Sequence, residues 1–273
     1  MTLNQKFHSP VINNNGYVVL TPNVGYGEDL LQSYPVNPYA ESLYQQFPLG
    51  TKAIQGERAF RYCKNGTVAL NIAAPIQQAK PAHGEQNDDI VCGASAAIGA
   101  TAIYLTSTAN LDTAPNDTAN DFAEGYVIVN DAGGEGQMYK IKANEAFSGT
   151  ALSKFTLYDP LTIALTITTT ELGLIRNPYY KVLVTEAVVS GMPIGVPLIA
   201  VTASYWFWAQ TGGPAPVVCN AAIALGTPAV VGVTAALVDP IVMNTTKTMI
   251  IGYMMTPGVA STESAICFLT LDT

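Results

Sequence analysis

Apolar and polar positions along this chain alternate over short stretches, with a period of two and not 3.6. The runs SKFTLYD, ALTITTTELGLI, YKVLVTEAVV, VPLIAVTASYWFWAQ, PAVVGVTA, KTMIIGYMM and AICFLTLD are rich in β-branched and aromatic residues. Gly, Pro and Asx turns separate them, which predicts short strands. Two hairpins stand out. FRYCKNGTVAL places Asn65-Gly66 between two strand-like runs, and Tyr126–Val129 is joined to Gln137–Ile141 by a Gly-rich loop. Helix candidates are few: a short stretch at Pro38–Phe47, and the Ala-rich CGASAAIGATAIYL, which holds two glycines and turns into a strand. The predicted class is mainly β with very little helix.

The pattern also predicts three regions. Residues 1–57 are rich in Asn, Pro, Tyr and Gln, with prolines at 10, 22, 35, 38 and 48 that leave no room for long regular elements. They read as an extended N-terminal arm. Residues 58–175 and 176–273 read as one or two β-barrel- or β-sandwich-like modules. A faint echo connects them: FRYCKNGTVAL resembles YWFWAQTGGPAPVV, and Gly125-Tyr126 and Gly252-Tyr253 each open a later strand. The arm has tyrosines and few aliphatics to bury them, so Phe7, Tyr17, Tyr26, Tyr34, Tyr39, Tyr44 and Phe47 become candidate partner-binding anchors.

Composition sharpens this picture. The chain is 49% hydrophobic and only 12% charged, against about 25% charged in ordinary soluble domains. So poorly charged a surface predicts cover by neighbouring subunits, hence a homo-oligomer. A net charge of −8 with 12 Lys and Arg spread thinly predicts no nucleic-acid partner. The most apolar region, Val182–Tyr205, is interrupted by Gly191, Pro193, Gly195 and Pro197, so no membrane helix is expected. The start MTLNQKFHSPVINNNG has no apolar stretch behind Lys6, which predicts synthesis in a cytosol. Cys63, Cys92, Cys219 and Cys267 are scattered and read as buried free thiols.

Catalytic chemistry has little material. Only His8 and His83 could serve as imidazole bases. His83 stands beside Glu85, Asp88 and Asp89, but the spacing fits no calcium loop. AGGEGQ lacks the phosphate-cradling pattern and precedes a strand, so it reads as a hairpin turn. Nothing singles out Glu171 and Glu186 as a glycosidase pair. No enzyme activity, cofactor or metal is expected. The densest aromatic run, Tyr205 to Trp208, puts Trp206 and Trp208 on one face of a strand and Tyr205 and Phe207 on the other. Such a strand suits burial between its own sheet and a partner, with a carbohydrate-stacking platform as the alternative.

At FRYCKNGTVALN, EGYVIVNDAGGEGQMYKIKAN, TLYDPLTIAL and GVPLIAVTASYWFWAQTGGPAPV, the chain resembles virion structural proteins of tailed bacteriophages, across most of residues 50–273. Within that group it is similar to capsid decoration, or cement, proteins. The resemblance implies a protein on the outside of a phage capsid, often a trimer, made in the bacterial host cytoplasm. Its partners would be the major capsid protein or other virion subunits. The chain is longer than the usual small decoration proteins, which leaves head-fibre, tail or receptor-binding roles as the alternative.

Overall fold

In the computed structural model, the described residues are 11–12, 18–20, 35–81, 83–84, 86, 89–108, 111, 118–149, 151–188, 190–241, 249–259 and 263–272. Their regular elements are β-strands, as the period of two predicts. In chain order they are β1 (Val11–Ile12), β2 (Val18–Leu20), β3 (Lys52–Gln55), β4 (Arg58–Lys64), β5 (Ile76–Gln77), β6 (Ile90–Ala94), β7 (Ala102–Thr106), β8 (Tyr126–Asp131) and β9 (Met138–Asn144). There follow β10 (Leu152–Leu157), β11 (Glu171–Ile175), β12 (Leu183–Val184), β13 (Pro193–Pro197), β14 (Trp206–Val218), β15 (Pro228–Val231), β16 (Val238–Pro240), β17 (Ile250–Met254) and β18 (Ser264–Thr270).

The chain divides into two compact units, residues 1–79 with 179–273, and residues 80–178. This corrects the boundaries read from the sequence. The second unit is inserted between β5 and β12, which pair with each other (Leu183↔Gln77, Val184↔Ile76). The boundary at 57 cuts the β3–β4 hairpin, whose ends pair as Gln55↔Arg58. Residues 58–64 do not open a separate module either, because β4 pairs along its length with β14.

The inserted unit is a closed antiparallel barrel in the order β10-β7-β6-β11-β8-β9. Each strand alternates in and out: on β7 Ile103 and Leu105 are buried while Tyr104 is exposed. So narrow a barrel is filled by its own side chains. Phe122, Phe147 and Phe155 pack with ring centroids 5.7–6.2 Å apart among the inward residues of all six strands. The AGGEGQ segment is the predicted hairpin turn between β8 and β9 (Tyr126↔Lys140, Ile128↔Met138). Behind β11, Arg176 and Asp121 form a buried ion pair, Nη2 to Oδ2 at 2.7 Å, with the guanidinium 4.9 Å over the Phe122 ring.

The other unit is a 12-stranded sheet, β1-β2-β3-β4-β14-β18-β17-β15-β16, with β5, β12 and β13 branching from β14 through β13. Strand β14 organises it. Its first half pairs with β4 (Trp206↔Lys64 to Gly212↔Ala59) and its second half with β18 (Gly212↔Thr270 to Val218↔Ser264). The switch falls at Gln210-Thr211-Gly212-Gly213, where the register slips between Gln210 and Gly212. Gly213 has φ 77°, and a Cβ there would lie 2.3 Å from the Glu57 carbonyl oxygen, so only glycine fits. The fully buried Gln210 side chain fills the bulge: Nε2 donates to the Gly212 and Pro214 carbonyls at 2.9 and 2.7 Å, and Oε1 accepts from Arg58.

The sequence echo has a different meaning from the one proposed for it. Its two aromatic segments, β4 and β14, are paired neighbours in one sheet and not counterparts in two repeated modules. Gly125 and Gly252 both lie where a neighbouring strand's backbone comes too close for a side chain, with Cβ positions 2.3 Å from Ile175 O and 2.1 Å from Phe268 O. Two further expectations fail. Asn65-Gly66 is no hairpin turn: Asn65 is buried, bridges Val182 in parallel, and donates from Nδ2 to Val68 O and Thr202 O at 3.0 Å. Non-local partners outcompete the local turn. The stretch Pro38–Phe47 is turns and bends with one bridge, Ser42↔Trp206, and not a helix.

Candidate interaction surface

The aromatic residues singled out in the sequence separate into two groups. Phe47, Trp206 and Trp208 are buried inside their own unit. Phe47 packs edge-on against Tyr62 and Trp208 at 5.3 and 5.1 Å, and Tyr62 stacks on Trp206 at 5.7 Å. Trp206 and Trp208 share one face of β14 and Phe207 takes the other, as the strand period requires. Both faces are covered by this chain's own residues, with Trp208 2% and Phe47 1% exposed. These rings belong to the core of their own unit and offer no exposed stacking face. Tyr39 and Tyr44 are exposed, Tyr44 at 76%. Phe7, Tyr17, Tyr26 and Tyr34 lie outside the described residues.

The titratable groups do structural work. Burial raises the Asp272 carboxyl, but a bidentate hydrogen bond from Arg61 (2.5 and 3.0 Å) and Lys52 at 3.1 Å outweigh it and hold the group below the ordinary carboxylate range. This clamp ties the segment that follows β18 to β3 and β4. Burial pushes the Cys267 thiol up to about 12 and the Tyr179 phenol to about 12. No group of three His, Cys, Asp or Glu side chains is arranged to hold a metal ion among the described residues. Glu85 and Asp88 lie outside them, and Glu171 and Glu186 fall in different units. A cleft of about 160 Å³ is lined by Glu41, Ser42, Gln46, Tyr62 and Trp208. The Glu41 carboxylate there already accepts from Thr202 N–H and Oγ1 at 2.6 and 2.7 Å. The cleft is smaller than the roughly 300–1,000 Å³ of usual ligand sites.

The feature that sequence reasoning missed is the outer face of the C-terminal part of the sheet. Strands β14, β18, β17 and β15 contain no Asp, Glu, Lys or Arg. Their inward residues, among them Val217, Cys267, Leu269, Ile251, Met254 and Ala229, form a dry core. The outward residues at the middle of these strands are apolar as well, with Ser264 and Thr270 at the two ends of β18. Register places Pro214, Phe268, Tyr253 and Pro228 in one row across the four strands. Pro216 and Ile266 face each other in the next row, with Met255 bonded to the Ile266 carbonyl beside them. Phe268 is 40% and Tyr253 47% exposed. A solvated antiparallel sheet alternates apolar inside with polar outside. Here the outer set is largely apolar too, which makes this face the candidate interaction surface.

Comparison of the chain with protein-family models, with curated proteins and with solved structures gave no match.

Proposed function

We propose that this chain is a structural protein of a tailed-bacteriophage virion that binds the outside of the capsid and stabilises the shell through contacts between subunits. The observation that carries this reading is the charge-free outer face of β14, β18, β17 and β15. Charged side chains on a strand keep a sheet apart from other proteins, and a sheet without them is built to be covered. Tyr39, Leu43 and Tyr44 are further exposed large side chains on the segment before β3. The resemblance to virion proteins across most of residues 50–273 supplies the setting, and one of the segments that carry it, GVPLIAVTASYWFWAQTGGPAPV, contains the partner switch of β14. The role is structural and not catalytic, with no cofactor. With Trp206 and Trp208 inside the core, the head-fibre or receptor-binding alternative loses its stacking platform.

Incubating the purified protein with expanded capsids that lack it, followed by electron cryomicroscopy, tests the reading. Ordered density on the outer shell and a raised capsid melting temperature are expected. Capsids that stay bare at micromolar protein would overturn it.

A further inference from the structure

We infer that the outer face of β14, β18, β17 and β15 pairs with the same face of a second copy of this chain, as a two-fold dimer. The inference rests on the reading of that face as an interaction surface, and it names the occupant.

Charge comes first. The chain carries a net charge of −8, so two copies repel over most of their surfaces. That repulsion is least where charge is absent, and these four strands have none. A charged partner would leave its own ionic groups desolvated and unpaired on such a face. A second copy brings no charge to it.

The order of residues is the second argument. Reading across the sheet, the central row is Pro214, Phe268, Tyr253, Pro228, set by Pro214↔Phe268, Phe268↔Tyr253 and Tyr253↔Pro228. The row is palindromic in chemistry: two aromatic residues at the centre and a proline at each end. A patch that meets itself does so about a two-fold axis. For two sheets packed face to face, that axis lies in the plane between them. Whether it runs along the strands or along the row, aromatic side chains meet aromatic side chains and prolines meet prolines. Flat Pro ends let the Phe268 and Tyr253 rings of both copies reach one another in offset or edge-on geometry. Neighbouring sheets packed this way sit about 10 Å apart, the thickness of a sandwich core.

Area sets the strength. The paired segments, seven residues on β14 and β18, five on β17 and four on β15, at about 3.3 Å rise and 4.8 Å spacing give a face of roughly 360 Å² per copy. Two copies bury roughly 700 Å² together, the size of a weak contact, so the dimer is transient and concentration-dependent.

Sedimentation equilibrium of the full chain from about 1 to 100 µM tests this, beside the double variant Phe268→Lys/Tyr253→Lys and the control Tyr44→Lys. Wild type and Tyr44→Lys should approach twice the 28.8 kDa chain mass. The double variant should stay at the chain mass, its dimer weakened at least about 100-fold by charges with no partner. Hydroxyl-radical footprinting of the wild type needs no variant to fold: Tyr253 and Phe268 should be protected at high concentration and labelled on dilution, while Tyr44 is labelled throughout. A wild type that is monomeric over the whole range, or a double variant that still dimerises, overturns the inference. If a monomeric wild type attaches to capsids and the double variant does not, the face belongs to capsid subunits, and the proposed function stands without the dimer. If the wild type dimerises through this face and never attaches, the dimer stands and the virion role falls.

Discussion

Replacing Gln210 by Leu removes the side chain that holds the bulge of β14 while keeping its size. Two backbone carbonyls, Gly212 and Pro214, lose donors at 2.9 and 2.7 Å in a site that is wholly buried. Each such hydrogen bond contributes about 1 kcal/mol net. Arg58 loses the oxygen it reaches at 3.0 and 3.3 Å. Its guanidinium is only partly buried and recovers hydration from water, so this loss adds less than about 1 kcal/mol. The total is about 2–3 kcal/mol, with a fall in melting temperature of roughly 5–10 °C for a unit of this size. Urea unfolding followed by tryptophan fluorescence reads the change, because both tryptophans of the chain, Trp206 and Trp208, lie on the same strand. Gln210→Glu sharpens the test. It keeps an acceptor for Arg58 but turns a carboxylate toward two carbonyls, so at neutral pH it should destabilise at least as much as Leu. Protonation of that carboxylate supplies one donor, so part of the loss should return below about pH 5. A Gln210→Leu protein within about 0.5 kcal/mol of wild type would refute the assignment of the switch to this side chain.

Three other outcomes follow from the same structure. Asp272→Asn should cost about 1 kcal/mol near neutral pH; because the native carboxyl is depressed by Arg61 and Lys52, its contribution is full above the unfolded value near 3.9 and vanishes as pH falls through the lower native one, so wild type and variant should converge in acid melts taken below that native value. Arg176→Met should destabilise the barrel by about 3–5 kcal/mol, since it leaves Asp121 buried without its cation, whereas Arg176→Met/Asp121→Leu should recover most of that loss in chemical denaturation. The four cysteines are buried and free, so a thiol reagent should titrate fewer than one thiol per native chain within minutes and four after unfolding in denaturant; rapid native reaction at any of them would contradict their burial.

The period of two determined the strands, and this could be read locally. Alternation in SKFTLYD or QMYKIK needs only the pleat of a single strand, and the Gly-rich loop before QMYKIK needs only its own turn to close the β8–β9 hairpin. Partnership is non-local, and there the reading by sequence ran out. Residues 35–57 look like an arm because their composition lacks aliphatics, yet Phe47 finds its core against Tyr62 and Trp208. Asn65-Gly66 has the chemistry of a turn, but Val182, Val201 and Thr202 take up its backbone and amide from distant segments. The similarity of β4 to β14 suggested repetition, when the two strands are alike because they pack in the same layers. The outer face of the sheet is the clearest case. In SAICFLT one alternating set is apolar and the other is apolar between Ser264 and Thr270, a pattern shared by a strand buried on both sides and by one awaiting a partner. Along the sequence those two situations are the same string of residues. Only the tertiary structure separates them, because the layer that covers Cys267 and Leu269 is supplied by this chain, while Ile266 and Phe268 are 44% and 40% exposed.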